Sequence, residues 1–160
     1  MVITRKQLYR EQLSYQLNNN GSFPKWIKFP LNLTQLNKIK RYNQYHLLGR
    51  SQLKQERYQQ WQKLGLRFVN LYIKKFTWKS NEYSYFIEQD LCYYMLWYHG
   101  TWEGLQHIYE EKLKQDQFKN CCYWINPKQF RSIENVPHIH FIFPKRALKY
   151  ITQKLEISVQ

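Results

Sequence analysis

Two histidines stand one residue apart in the run His138-Ile139-His140-Phe141-Ile142-Phe143. Strand side chains alternate between faces, so His138, His140 and Ile142 share one face while Ile139, Phe141 and Phe143 share the other. One face can then be core while the other presents two imidazoles. Alternate strand histidines can chelate one divalent metal ion when a third ligand joins them, and His99, Cys122 and Asp90 are the candidates. No spaced carboxylate and no Cys-x-x-Cys accompanies the pair, which favours the plainer reading of hydrogen-bonded imidazoles at a sheet end.

A polar loop precedes the histidines. It holds Asn126, Arg131 and Ser132, and Trp97 and Trp124 lie in neighbouring apolar runs. These residues can converge with His138 and His140 on one sheet end, the tryptophans forming walls. Aromatic walls with a few polar groups suit a sugar or a phosphorylated metabolite. Arg131 would give a forked donor to an anion. The competing reading is that the loop's polar groups only satisfy one another. A histidine-based hydrolase is a further alternative, since the run imitates the alternation of a histidine triad. Its third triad position is Ile142, no Gly-rich phosphate cradle is present, and Ser132 lacks a nucleophile-elbow context. The sequence assigns no catalytic residue.

Several elements must position these groups. Residues 121–125 form a short apolar run rich in strand-formers, ended by Asn126-Pro127. Residues 91–98 are apolar throughout and read as a strand covered on both sides. Between them, Thr101 is a plausible N-cap for a helix over 102–117, with Leu105, Ile108, Tyr109 and Leu113 facing inward. A closing helix is expected over 147–155. Upstream, residues 3–17 suit a short amphipathic helix, 31–48 are weakly helical, and Gly49-Arg50-Ser51 reads as a stop followed by an N-cap. Residues 51–76 carry a stripe of Trp61, Leu64, Gly65, Phe68, Val69, Tyr72 and Phe76 at steps of three and four, which predicts one long helix. The expectation is one α+β domain over 1–160. Its N-terminal helices pack on a small, about three-stranded mixed sheet, with a C-terminal helix. Were 91–98 and 121–125 adjacent and parallel, their crossover would be right-handed.

Aromatic residues make up 18% of the chain, so its core is aromatic. Three cysteines, two of them adjacent, fit a reducing compartment with buried thiols better than a disulfide framework. No apolar run approaches a membrane span, and residues 1–20 lack a signal-peptide core. The expectation is a soluble, cytoplasmic protein, with nuclear or mitochondrial placement left open.

The charge is lopsided. Residues 1–80 hold 16 Lys and Arg against 2 acids, and residues 81–160 hold 9 against 9, so the whole excess of +14 lies in the first half. Lys38, Lys40, Arg41, Arg57, Lys63, Arg67, Lys74 and Lys75 could contact the phosphates of a nucleic acid, or an acidic partner, without sequence preference. The alternative is a solvated, lysine-rich surface.

The order of these features resembles the N-acetylglucosamine-induced protein family, a eukaryotic domain of unknown function common in fungi. Phe23-Pro24-Lys25-Trp26 and Pro30 look like its early Pro-Phe-Trp segment and following proline. Leu48-Gly49-Arg50-Ser51 through Tyr58 and Trp61 is similar to its Arg-x-Pro-x-x-Leu-x-x-Tyr helix start. Gly65 and Trp78 match the family's glycine and the tryptophan thirteen residues later. Residues 87–97, ending Leu96-Trp97, look like its acidic loop and strand. Trp124-Ile125-Asn126 is similar to its Trp-Phe-x-Asn, and Arg131-Ser132 with Val136 and His138-Ile139-His140 to its Lys-Ser-Val and Glu-His-x-His. Departures are Leu64 and Leu66 around Gly65, Pro127 where a Trp is usual, and Pro137 in place of the Glu before the first histidine. The resemblance implies no reaction, because the family has none assigned.

Overall fold

Strand β4 (His138–Pro144) is the centre of the C-terminal half, because both of its faces are apolar enough to be covered. The structure, a computed structural model, describes residues 26–63, 75–113, 117–131 and 133–160. Strand β2 (Leu91–Tyr98) pairs antiparallel with β4, from Leu91 opposite Pro144 to Trp97 opposite His138. On its other edge β2 pairs with β1 (Phe76–Ser80), and β3 (Cys122–Trp124) pairs with the far edge of β4. The order is β1-β2-β4-β3, and every pairing is antiparallel.

The α+β class is as expected, but among the described residues the sheet has four strands and is antiparallel throughout rather than mixed. Strands 91–98 and 121–125 were the candidates for a parallel pair; β4 lies between them instead. A strand buried along its whole length needs partners for its backbone groups on both edges, which a central position supplies. The added strand is β1. Phe76 ends the stripe that predicts a helix over 51–76, yet Phe76 and Trp78 stand opposite Tyr98 and Leu96 and point into the core.

One sheet face carries Cys92, Tyr94, Leu96, Tyr123, Ile139, Phe141 and Phe143. It is covered by α3 (Trp102–Lys112) through Leu105 and by α4 (Leu148–Val159) through Ile151 and Leu155. Each fully buried Ile, Leu or Phe contributes about 2 kcal/mol. Thr101 caps α3, its hydroxyl accepting from Gly104 N at 3.0 Å. Helix α3 ends at Lys112, earlier than the expected 117. Pro144 closes β4, and a 3-10 turn over Lys145–Ala147 leads into α4.

Residues 26–63 and Glu82–Glu88 belong to a second compact unit. Helix α1 (Leu33–Arg41) begins with a capping box: Asn32 Oδ1 accepts from Gln35 N at 2.9 Å, and Gln35 Oε1 accepts from Asn32 N at 2.8 Å. Leu36 and Ile39 are its buried face. Helix α2 (Gln52–Lys63) starts after Ser51, whose hydroxyl accepts from Lys54 N. Backbone bonds stitch this unit: Ile27 N to Arg50 O, Leu31 N to Phe86 O, Glu88 N to Leu31 O and Phe86 N to Gly49 O. Gly49 lies so close to Ile27 that a Cβ there would sit 2.7 Å from Ile27 Cγ2.

The expected helix over 3–17, and the stripe residues Leu64, Gly65, Phe68, Val69 and Tyr72, lie outside the described residues. Among the described residues no helix is long and apolar enough to cross a membrane.

Candidate functional site

The register of β2, β3 and β4 places Trp97 opposite His138, and both Met95 and Trp124 opposite His140. Both imidazoles therefore project from one face, as period-two alternation requires, with ring centroids 4.9 Å apart and planes near perpendicular. Trp97 lies 4.5 Å and Trp102 5.4 Å from the His138 ring. Trp124 stacks on His140 at 5.0 Å with planes 12° apart. His138 is 3% and His140 5% exposed, and Trp97 and Trp124 are buried beside them. The expectation that one face is core while the other presents two imidazoles is corrected here: the rings form an interior aromatic layer. Flat rings packed against one another bury more apolar area than two wet histidines could.

His138 Nδ1 lies 2.7 Å from the carbonyl of Val136, which can only accept, so Nδ1 carries the proton. Nε2 is then a lone-pair acceptor. The His138 pKa falls from its ordinary 6.5 to about 4: burial is the largest cause, the Val136 carbonyl opposes it, and the Arg131 charge adds to it. His138 is therefore neutral at physiological pH. His140 Nδ1 is hydrogen-bonded to the Tyr93 hydroxyl.

The loop after β3 is folded around Asn126. Trp124 Nε1 donates to Asn126 Oδ1 at 2.7 Å, and a 3-10 turn over Lys128–Phe130 follows Pro127. That turn brings Arg131 back, so that its Nε donates to Asn126 O at 2.9 Å. The Arg131 guanidinium lies 3.8 Å over the Trp102 ring, while Trp102 Nε1 donates to Glu134 O at 2.7 Å. Arg131 is partly buried and its pKa is lowered by desolvation, with Glu134 acting the other way. Among the described residues its two terminal amino groups have no hydrogen-bond partner. Ser132 lies outside the described residues.

Of the expected site residues, Asn126, Arg131, His138, His140, Trp97 and Trp124 do converge on one end of the sheet. Sequence reasoning missed Trp102 and Tyr93. Period-two alternation along β2 puts Tyr93 on the Trp97 face, so that residue was discoverable. Trp102 was not, because it reaches the site from a helix.

The candidate third metal ligands do not complete a site. Asp90 and His99 flank opposite ends of β2, the Asp90 carbonyl accepting from Lys145 N, and Cys122 pairs with Ile142 inside the sheet. Among the described residues no group of three His, Cys, Asp or Glu could hold an ion.

No family model and no curated protein matches the chain. Its fold is similar to that of HTC1, known from a crystal structure, with a TM-score of 0.57 over 80% of this chain and 92% of that one. The two sequences are 13% identical. Likeness at that level speaks to fold alone.

The basic residues are spread over both units. Lys38, Lys40 and Arg41 form the last turn of α1, and Arg57 and Lys63 are exposed on α2. Lys75 is exposed just before β1, while Arg67 and Lys74 lie outside the described residues.

Proposed function

We propose that the sheet end carrying Asn126, Arg131 and the His138-x-His140 strand binds a small anionic ligand, a sugar phosphate or similar phosphorylated metabolite. The observation that carries this reading is the Arg131 guanidinium. Its Nε is fixed to the Asn126 carbonyl and its plane to Trp102, leaving the Nη pair as a pre-oriented fork. A fork held by the scaffold loses little freedom when it grips two oxygens of a phosphate. The buried histidines and tryptophans beneath it act as the floor that holds the loop in place. Membership of the N-acetylglucosamine-induced protein family is part of the same reading, and rests on the ordered matches from Phe23 to His140.

Calorimetric titration with a hexose 6-phosphate tests it, with the free hexose and Arg131→Gln as controls. Loss of a charge-assisted fork costs about 1.5–3 kcal/mol, so the variant should bind roughly ten- to a hundredfold more weakly. Equal affinity of wild type and variant, or of the ester and the free sugar, would sink the reading.

A second reading, contact between the basic half and a polyanion, is favoured by the exposure of Arg41, Arg57 and Lys63. Binding to a single-stranded RNA should then weaken steeply with added salt; a flat response removes that reading.

A further inference from the structure

We propose that Arg50, Lys54 and Arg57, with the hydroxyls of Tyr58 and Ser84, form a second binding site, for the phosphate group of a phosphate monoester. All of these residues belong to the N-terminal unit, and Arg131 belongs to the other. Helical steps of three and four put Lys54, Arg57, Tyr58 and Trp61 on one side of α2, and Arg50 stands just before its first turn.

The segment 83–85 runs alongside. Arg50 Nε donates to Tyr83 O at 2.7 Å, and Lys54 Nζ donates to Ser84 Oγ at 3.2 Å. The Arg50 guanidinium sits 3.8 Å over the Tyr58 ring and 5.5 Å from Tyr85. Tyr83 packs against both Tyr58 and Trp61, at 5.5 and 5.4 Å.

Two independent features ask for an anion. First, among the described residues three cations are gathered with no carboxylate paired to them. Among the described residues Glu56, Glu82 and Glu88 form no ion pair with Arg50, Lys54 or Arg57, and the sequence of 64–74 holds no acid. Burial is the largest cause lowering the Lys54 pKa, and the positive charges of Arg50 and Arg57 lower it further. Second, the Tyr58 side chain is 5% exposed and, among the described residues, its hydroxyl has no hydrogen-bond partner. A buried hydroxyl without a partner is rare in folded proteins, because it carries its desolvation cost unrelieved. A phosphate supplies what both lack: negative charge for the three cations and acceptor oxygens for the hydroxyls. Arg50, Lys54 and Ser84 are partly exposed and Arg57 is exposed, so the cations and the Ser84 hydroxyl can be reached from solvent, while the Tyr58 hydroxyl is buried.

The test reads Lys54 itself. The intact protein is acetylated briefly with an N-hydroxysuccinimide ester, with and without inorganic phosphate, and labelling of each lysine is followed by peptide mass spectrometry. A bound phosphate shields the amine and draws its pKa back up, so Lys54 labelling should slow at least about fivefold while exposed Lys63 is unaffected. Arg57→Gln should raise the phosphate concentration needed by roughly tenfold, as removal of one charge-assisted donor predicts. Tyr58→Phe should act in the same direction. Arg131→Gln should leave Lys54 protection unchanged, so failure of this site and failure of the Arg131 site are told apart. Equal protection by chloride at matched ionic strength, or unchanged protection in Arg57→Gln, overturns the proposal; Arg57 is exposed, so that variant does not depend on tolerance of a core change.

Discussion

His138 makes stability depend on pH in a way that isolates one side chain. Its folded-state pKa of about 4 lies below its ordinary 6.5, so the unfolded chain takes up a proton that the folded protein refuses. Stability from this group is complete above pH 6.5 and is lost as pH falls from there toward 4. Each pH unit inside that window is worth about 1.4 kcal/mol, giving about 2 kcal/mol lost by about pH 5 and about 3 kcal/mol in all. Urea unfolding at about pH 7.5 and about pH 5 reads the loss for wild type and for His138→Asn, whose amide N–H can still donate toward the Val136 carbonyl. Asparagine does not titrate. The variant is less stable at both pH values, but it should lack about 2 kcal/mol of the wild-type fall. An equal fall in both proteins would refute the assignment of His138 as a buried neutral imidazole.

Two other changes follow from particular contacts. Tyr93→Phe leaves His140 Nδ1 without its hydroxyl partner inside the sheet face. It should lower stability by about 1–3 kcal/mol in urea unfolding with an unchanged slope, and a loss below about 0.5 kcal/mol would show that the bond contributes nothing. Gly49→Ala should cost about 1–3 kcal/mol, because the new methyl must displace Ile27; an unchanged thermal midpoint contradicts the close approach.

Much of the C-terminal half was legible because breakers bracket its apolar runs. Residues 91–98, and the strand beginning at His138, fall where the sequence puts them, and Pro144 marks the change from strand to turn. The closing helix was also visible, though it runs to Val159 rather than 155. Strand β1 was hidden because Phe76 continues the spacing of the preceding stripe; only its pairing with β2 gives it away. The capping box at Asn32 and Gln35 was a readable signal that would have fixed the start of α1 inside the weakly helical region.

At the candidate site, alternation correctly put His138 and His140 together. It could not say whether that face met solvent, since period two gives a side and not its cover. The clustering of Arg50, Lys54 and Arg57 with Tyr83 and Ser84 was invisible for a related reason: some thirty residues of chain separate the two segments.

The Arg131 fork is tested most directly by the arginine side-chain proton–nitrogen NMR spectrum, with the Arg131 signals identified by their loss in Arg131→Gln. Addition of a hexose 6-phosphate should shift the Arg131 Nε resonance and slow rotation of its Nη groups into view. If those signals stay unmoved while others respond, the phosphate binds elsewhere and the proposed role of the sheet end is wrong.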